Sequence, residues 1–450
     1  MNVAIYLTAM GAAVYSLRRP NVGIYLLIVL LPLQTIRYDL QQFPQGSRII
    51  DVLLGCVILG ALLHKKGPLF ADLPMKRLLL VFSVYLYLSL WYGSYRFGLE
   101  WPISPSDVRV SQWKALVEMP LVYAAAFVSI RNLKQIKRVV LLMLVTALVI
   151  GFMFYQDMQV HEFTQFTSVT EGARGSGVMG YAGANGLGAF EAGFTLFLLG
   201  LYGRGLSRLL KVGILFGLLA CAYGVMYSFS RGAYLAIPVG ILFIGFARNK
   251  KKLLLPLLLI LVLGAGVVMP SVVTSRVSGT FVQAQGSDSQ QLEGSAEKRV
   301  LILQTSVPYI EKYPLMGTGF LTYQLLHPVA GLKDTHDYYL RILFETGIIG
   351  LAMFGAILWQ MLCRSYRLFR QSPDPFLSSL GLGLGASMVG AAVVNFFGDR
   401  WSYQQVGSYW WILLAMVCRA QLLSAKPGEE LGPESEALPA MVPSAELVPE

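Results

Sequence analysis

Long apolar runs recur from one end of this chain to the other, and each approaches the roughly 20 residues that a helix needs to cross a bilayer. Hydrophobic residues make up 55% of the sequence and charged residues only 14%, whereas soluble domains carry about 25% charged residues. A soluble multidomain enzyme would instead show interrupted, amphipathic patterns. The sequence therefore predicts an all-α integral membrane protein with many spans.

The hydropathy pattern predicts thirteen transmembrane helices, or twelve if the short first segment does not cross the membrane fully. That first segment has no basic leader and no clear cleavage site, so we interpret it as a retained span and not as a signal peptide. The predicted spans lie near residues 2–17, 21–36, 49–63, 77–95, 113–130, 138–155, 184–202, 209–228, 233–247, 253–269, 340–362, 376–396 and 408–425.

Clusters of Lys and Arg, such as "RNLKQIKR" and "RNKKK", follow every second predicted span. The positive-inside rule places these connections in the cytoplasm. The basic residues punctuate the spans and do not form one patch, so the net charge of +11 indicates membrane topology and no nucleic-acid partner. The alternate connections then face outward, and the longest of them covers residues 270–339.

The long outward loop divides into two parts of different composition. Its first part is polar and rich in Gly, Ser and Gln, whereas its second part has helical spacing and then a Pro/Gly turn. Because a loop of this length is usually functional or disordered, we expect a mobile piece followed by an ordered piece with short helices. The tail, residues 426–450, is rich in Pro and Glu and is predicted to be disordered in the cytoplasm.

Three arginines on the predicted outer face lie in distinctive contexts. Arg174 belongs to a glycine-rich stretch, Arg231 follows Ser230 where one span ends and the next begins, and Arg299 lies in the long loop. Each arginine has a structural interpretation. Arg174 would belong to a turn that leads into a helix-packing face, Arg231 would be an interfacial anchor, and Arg299 would be a solvated loop charge. Each also has a functional one, because the forked donors of arginine suit bidentate binding of phosphate.

His336 stands one turn before a long apolar segment, and only four histidines occur in the chain. A lone histidine is more often structural than catalytic. Histidine is nevertheless the side chain best suited to accept a proton near neutral pH. His336 is therefore the candidate general base.

Two carboxylates, Glu118 and Glu191, lie inside predicted spans, where acids are costly and tend to be paired or functional. We expect them to hold arginines in place, and a role as an alternative base is less favoured. The four cysteines have no metal-ligand spacing, and the chain contains no P-loop. The sequence therefore predicts no metal site, no cofactor and no direct use of ATP.

Outer arginines close to a histidine suit a lipid-anchored diphosphate whose tail lies in the bilayer. The arginines would bind the diphosphate and neutralise the departing group, and the histidine would deprotonate an acceptor hydroxyl. An anion transporter would also use outer arginines. A transporter should, however, show charges at the membrane midplane, broken helices or repeats. Here the charged groups lie at the outer rim, and the long outer loop carries the motifs, which favours glycan transfer.

Four motifs occur in order between residues 170 and 365, and together they resemble the O-antigen ligase and polymerase superfamily of bacterial glycan transferases. Each motif alone is weak, whereas the ordered set is fairly specific. The matching positions are Arg174, Gly177 and Asn185; Ser230, Arg231 and Gly232; Arg299 with Pro314, Leu315, Gly317 and Gly319; and His336, Leu340, Glu345, Gly347 and Gly350.

The resemblance implies transfer of an undecaprenyl-diphosphate-linked glycan to an acceptor at the periplasmic face of the bacterial inner membrane, without a metal. It implies that Arg231 and Arg299, together with Arg174, bind the diphosphate, and that His336 activates the acceptor hydroxyl. Glu345 would fix the start of the following span. Asp337 stands where the family usually has Asn, and we expect it either to stabilise the charged form of His336 or to cap the helix.

The acceptor remains open at this point, because lipid A–core, a growing polymer and a protein hydroxyl are all served by members with these motifs. The opening stretch of the chain favours ligase-type transfer. The predicted organisation is an N-terminal helical region at 1–169, a catalytic core at 170–365, C-terminal helices at 366–425 and the tail at 426–450.

Overall fold

The structure is a computed structural model of the chain that describes residues 2–64, 69–159, 174–203, 205–249, 281–283, 290–292, 294–326, 329 and 334–425. The predicted span 253–269, most of the polar first part of the long loop, and the tail 426–450 lie outside the described residues.

Up to residue 159, the described residues form seven helices. They are α1 Asn2–Ser16, α2 Pro20–Leu30, α3 Gln34–Leu40, α4 Ile49–His64, α5 Lys76–Phe97, α6 Val108–Ser129 and α7 Leu133–Met158. Helices α2 and α3 form one bent pair, with an angle of 109° between them. Pro32 lies at the break, where the missing N–H and the restriction on the preceding residue stop an α-helix.

Eight further helices follow. They are α8 Gly183–Leu201, α9 Arg208–Tyr227, α10 Arg231–Ala247, α11 Gly294–Lys312, α12 Tyr323–Leu326, α13 Tyr338–Gln371, α14 Pro375–Val394 and α15 Gln404–Ala425. Short 3-10 turns cover Gly46–Arg48, Gly177–Ala182 and Asn395–Phe397. Two three-residue strands, β1 Phe281–Gln283 and β2 Gln290–Leu292, pair antiparallel.

Helix α14 lies at the centre of the C-terminal half and packs against α8, α10 and α13. Small residues permit this close approach, because a Cβ on Gly200 of α8 would meet the backbone of Gly383 at 2.5 Å. Such small-residue contacts are a common way for helices to associate in membranes, where lipid tails remove the hydrophobic drive for association.

Eight helices of the described residues are long and apolar enough to cross a membrane, and the number becomes nine if the bent pair α2–α3 is one span. Each predicted span within the described residues lies on a helix or, for 21–36, on the bent pair. The predicted all-α membrane fold is therefore confirmed. The total of twelve or thirteen spans stays a prediction. Helices α1 and α10 have only 15 and 17 residues, α6 is not among the eight, and the predicted span 253–269 lies outside the described residues.

Helix α13 is interrupted at Gly347, where φ is 65° and ψ is −168°. The segment 314–319 docks into this interruption. Ile348 N–H donates to Pro314 O at 2.9 Å, and Gly319 N–H donates to Glu345 O at 2.8 Å. A Cβ on Gly347 would collide with the carbonyl of Leu315. The glycine is thus required both by its positive φ and by the close backbone contact.

We expect Gly347→Ala to lower the free energy of unfolding by about 2–4 kcal/mol, because alanine at this φ and ψ is strained and its Cβ would displace segment 314–319. Gly355→Ala, further along the same helix, is the matched control, since a Cβ there meets nothing within 4 Å. Unfolding of both variants in one detergent, followed by tryptophan fluorescence, makes the comparison. Equal stability of the two variants would contradict the argument.

Candidate functional site

Arg174 lies against the junction between α9 and α10. Its Nε donates to the carbonyl of Ser228 at 3.0 Å, and one of its terminal nitrogens donates to Asn185 Oδ1 at 2.8 Å. Because the Ser228 carbonyl ends α9 and Asn185 lies in the first turns of α8, Arg174 ties the two helices together. The structure therefore brings the glycine-rich motif and the Ser-Arg-Gly motif to one place.

Arg231 begins α10, directly after a tight junction. Phe229 adopts a left-handed φ of 51° and is buried, and Ser230 is also buried. Gly188 of α8 presses on this junction, because a Cβ there would lie 2.9 Å from the Cβ of Ser230. The junction fixes where α10 starts, and with it the position of the Arg231 backbone.

Phe397, at the end of a 3-10 turn, lies between the Arg231 segment and Arg299. A Cβ on Gly232 would meet the Cβ of Phe397 at 2.7 Å. From the other direction, the Arg299 guanidinium lies 5.6 Å from the Phe397 ring centroid, and its terminal nitrogen is 3.5 Å from the Phe397 carbonyl. The two arginine segments are thus neighbours although 68 positions separate them in the sequence.

His336 is held in a left-handed conformation, with a φ of 52°. Its side chain is 43% exposed, and Nδ1 lies 3.4 Å from Oδ2 of Asp334. Burial raises the pKa of Asp334, but the hydrogen bond from His336 and the charges of Arg341, His336 and Arg400 outweigh it and lower the pKa to about 2. The imidazole is therefore accessible and has an ionised carboxylate on one nitrogen.

Asp337 caps α13. Its Oδ1 accepts the N–H groups of Tyr339 at 2.8 Å and Leu340 at 3.1 Å, and Thr335 Oγ1 donates to its carbonyl at 2.6 Å. Burial raises its pKa, although these backbone donors and the nearby charge of Arg299 work in the opposite direction. Of the two aspartates beside His336, the carboxylate placed at the imidazole is Asp334, and Asp337 serves the helix end.

A buried network of charges lies below His336. Arg341 Nη1 donates to Asp399 Oδ2 at 2.5 Å, and Arg341 Nε lies 3.5 Å from Glu345 Oε2, one helical turn along α13. The side chains of Glu345 and Asp399 are only 1% and 3% exposed. The network ties α13 to the loop 398–403, so Glu345 acts through Arg341 and lies beneath the accessible part of the site.

Arg400 is a second buried cation beside Asp334. The residue is 8% exposed, and its guanidinium lies 5.9 Å from the ring centroid of Tyr403. Burial lowers its pKa, which Tyr403, Asp334 and Asp399 partly offset. The backbone around it is fixed, because Asn395 Oδ1 accepts the N–H groups of Arg400 and of the next residue at 3.1 and 3.0 Å.

The two carboxylates predicted within spans lie apart from His336. Glu118 accepts from Gln404 Nε2 at 2.5 Å, and Gln404 in turn accepts from Arg37 at 3.3 Å. Glu118 is thus linked to an arginine, but not to one of the three that the sequence singled out. Glu191 is fully buried in α8, against Gly224 of α9. Across the described part of the chain, no cluster of His, Cys, Asp and Glu side chains could hold a metal ion.

Four functional candidates went unrecognised in the sequence: Asp334 as the partner of His336, and Arg341, Asp399 and Arg400. Asp334 was visible as one of two aspartates flanking the histidine. Arg341 was visible by its i,i+4 spacing to Glu345, which places both on one helix face. Asp399 and Arg400 are adjacent charged residues in the sequence "GDR", which lies in a short connection between apolar runs. Two charges are unusual in such a connection.

The fold and the site define a polytopic helical membrane protein in which the segments of Arg174, Arg231 and Arg299 contact one another in turn and an accessible histidine precedes α13. Residues 216–355 match the family model described as O-antigen ligase. This match supports the assignment to the O-antigen ligase/polymerase superfamily, and it supports a glycosyltransferase of that broad type. It covers less than a third of the chain and includes Arg231, Arg299 and His336. A comparison with curated proteins finds no match.

We expect Arg341→Met to destabilise the protein by about 3–5 kcal/mol, because it leaves the buried carboxylates of Glu345 and Asp399 without their cation. The matched control is Lys114→Met, which breaks the ion pair with Asp51, where the side chains are 56% and 31% exposed. The control should cost no more than about 1 kcal/mol. Denaturant unfolding in detergent measures both, and similar losses would show that the Arg341 network is not a special support.

Proposed function

We propose that the protein transfers a glycan from a polyprenyl-diphosphate carrier, of the undecaprenyl type, to an acceptor hydroxyl at the periplasmic face of the bacterial inner membrane. The observation that carries the proposal is that one 3-10 turn, Asn395–Phe397, contacts all three segments. Phe397 packs against Gly232, next to Arg231, and against Arg299. The Phe396 ring lies 4.3 Å from the ring of Tyr339, in the first turn of the helix that follows His336. The family match over the same residues supports it.

In this proposal, His336 removes the proton from the acceptor hydroxyl, and the freed oxygen attacks the anomeric carbon of the glycan. The bond between that carbon and the diphosphate oxygen breaks, and the diphosphate leaves with the electron pair. Asp334, which is ionised, stabilises the imidazolium that forms, as a carboxylate does for a catalytic histidine elsewhere. The proton passes from His336 to solvent, because the side chain is exposed.

The arginines would bind the diphosphate in the ground state and neutralise the charge that develops as it departs. We propose that the diphosphate binds beside Phe397, which contacts both Gly232, the residue after Arg231, and the Arg299 guanidinium. Arg174 already donates to Ser228 and Asn185. We therefore propose that it supports the junction that positions Arg231 as well as contributing positive charge.

We propose ligase-type transfer, in which lipid A–core or a related glycolipid is the acceptor. Deletion of the gene, followed by gel analysis of the products, tests this choice. Loss of glycan from lipid A–core supports the ligase. Retention of a single repeat would indicate a polymerase, and loss of a glycoprotein band would indicate a protein O-glycosylation ligase.

We expect His336→Ala to reduce glycan transfer by a factor of about 100 or more, since a general base contributes 10²–10⁴-fold. The protein should remain folded, because the side chain is exposed and packs into no core. Transfer is measured by complementation of the deletion strain and with purified protein, and folding by gel filtration. Transfer at the wild-type rate by the purified variant would remove His336 from the mechanism.

We expect Arg231→Lys to weaken binding of a polyprenyl diphosphate about tenfold or more, because lysine keeps the charge but loses the forked donors. Binding of labelled polyprenyl diphosphate and polyprenyl monophosphate is compared for wild type and variant. The loss should be larger for the diphosphate. The matched control is Arg48→Lys, at an exposed arginine in a 3-10 turn. Near-normal affinity of Arg231→Lys would identify Arg231 as an interfacial anchor.

A further inference from the structure

A cluster of two arginines and two tyrosines lies next to the site described above. It consists of Arg37, Tyr181, Tyr403 and Arg400, and we call it the tyrosine–arginine cluster. The rings of Tyr181 and Tyr403 are 5.5 Å apart at an angle of 57°. Arg400 lies over the Tyr403 ring, with 5.9 Å between its guanidinium and the ring centroid. Arg37 donates to Gln404, the residue after Tyr403, at 3.3 Å.

Three distant segments hold the tyrosine–arginine cluster in place. Gln405 Nε2 donates to Gln34 Oε1 at 2.6 Å and to the Met179 carbonyl at 3.2 Å. Gly180, beside Tyr181, packs on the Gln34 side chain. These contacts join the bent pair α2–α3, the 3-10 turn Gly177–Ala182 and the start of α15. The segments that carry the two tyrosine rings are therefore held in place by tertiary contacts, as a preorganised binding site requires.

The cluster runs from the candidate base to the protein surface. At one end, Arg400 directly follows Asp399, whose carboxylate accepts from Arg341 at 2.5 Å, and Arg341 lies in the first turn of α13, the helix that begins two residues after His336. At the other end, the Tyr181 side chain is 59% exposed. A ligand that reaches His336 can therefore extend over the tyrosine rings.

Both arginines have donors that the described residues leave unused. The Nε of Arg37 is buried without a hydrogen-bond partner, and the Arg400 guanidinium makes no hydrogen bond within the described part of the chain. The carboxylate nearest to Arg37, Glu118, already accepts from Gln404. Buried polar groups are normally paired. The unused donors point to a ligand that brings acceptor oxygens, and an anionic ligand gains most from them.

We propose that the tyrosine–arginine cluster is a subsite for a sugar unit that carries a phosphate or carboxylate group, on the acceptor whose hydroxyl His336 would deprotonate. The sugar ring lies on the tyrosine rings, and the anionic group contacts Arg37 and Arg400. Binding sites commonly combine such aromatic surfaces with a few charged groups that fix orientation. The assignment to the acceptor rests on the proposed function, in which Arg231 and Arg299 are occupied by the donor.

Saturation-transfer-difference NMR on the full-length protein in detergent tests the subsite with four probes: glucose 6-phosphate, glucuronate, glucose and inorganic pyrophosphate. We expect at least one anionic sugar to bind, and unmodified glucose to bind about tenfold more weakly or not at all. Arg37→Gln and Tyr181→Ala should each weaken the anionic sugar about tenfold. Tyr181 is exposed, so its variant tests the proposal even if Arg37→Gln misfolds.

The control variants are Arg48→Gln and Tyr95→Ala, which remove an exposed arginine and an exposed tyrosine outside the cluster and should leave binding unchanged. Tyr181→Ala should still bind pyrophosphate, because the arginines proposed to bind a diphosphate, Arg231 and Arg299, lie outside the tyrosine–arginine cluster. His336→Ala should retain the anionic sugar. The subsite is wrong if neither anionic sugar binds wild type, or if Tyr181→Ala binds as wild type does. Those outcomes would contradict the subsite but not the proposed glycan transfer. Wild-type transfer by His336→Ala would contradict the proposed function but not the subsite.

Discussion

The ion network of Arg341 is the interaction on which the arrangement of the site depends. Glu345 and Asp399 are almost wholly buried, and an ionised carboxylate in such a place needs a cation with hydrogen-bonding capacity. Arg341 meets both, one along its own helix and one from the loop 398–403. Because α13 begins at the Asp337 cap, the same contact fixes the distance between His336 and that loop. The arginines near the loop, Arg299 at Phe397 and Arg400, are thereby placed relative to the candidate base.

Backbone contacts supply the second support. The segment 314–319 fills the interruption of α13 at Gly347, so α11, the helix that carries Arg299, is anchored just after its C-terminal end to the helix that carries the cap. Hydrogen bonds between main-chain groups fix position without depending on side-chain identity. The three glycines of this contact, Gly317, Gly319 and Gly347, all have positive φ, which explains why the Pro-Leu-x-Gly-x-Gly and Glu-x-Gly patterns occur as a set. Attached in this way, α11 packs against α13 and places Arg299 beside it.

Local properties of the sequence were enough to predict the helices, because each apolar run is a property of consecutive residues. The same holds for the cap at Asp337 and for the small-residue contact surfaces. The bend of 109° between α2 and α3 was not predictable: Pro32 marks a break, but the angle depends on what the two pieces pack against. The pairing of Arg341 with Asp399 could not be predicted from the sequence either, since 58 residues separate them and only the packed fold brings them together. Asp334 and Asp337 flank His336 almost symmetrically in sequence, and only the backbone turn decides which carboxylate meets the imidazole.

The distribution of charge around His336 suits a reaction between two large substrates. A donor diphosphate and an anionic acceptor repel each other, and positive charge between them removes that penalty where the dielectric is low. The Arg231 segment and Arg299 both contact Phe397, whereas the Arg400 guanidinium lies over the ring of Tyr403. A single cluster of cations would hold one anion tightly and exclude the second. In the proposed reaction, a diphosphate at Arg231 and Arg299 and an acidic group at Arg37 and Arg400 would occupy different arginines, so both anions could bind at once. His336 would then accept the proton of the reacting hydroxyl, as a histidine can near neutral pH.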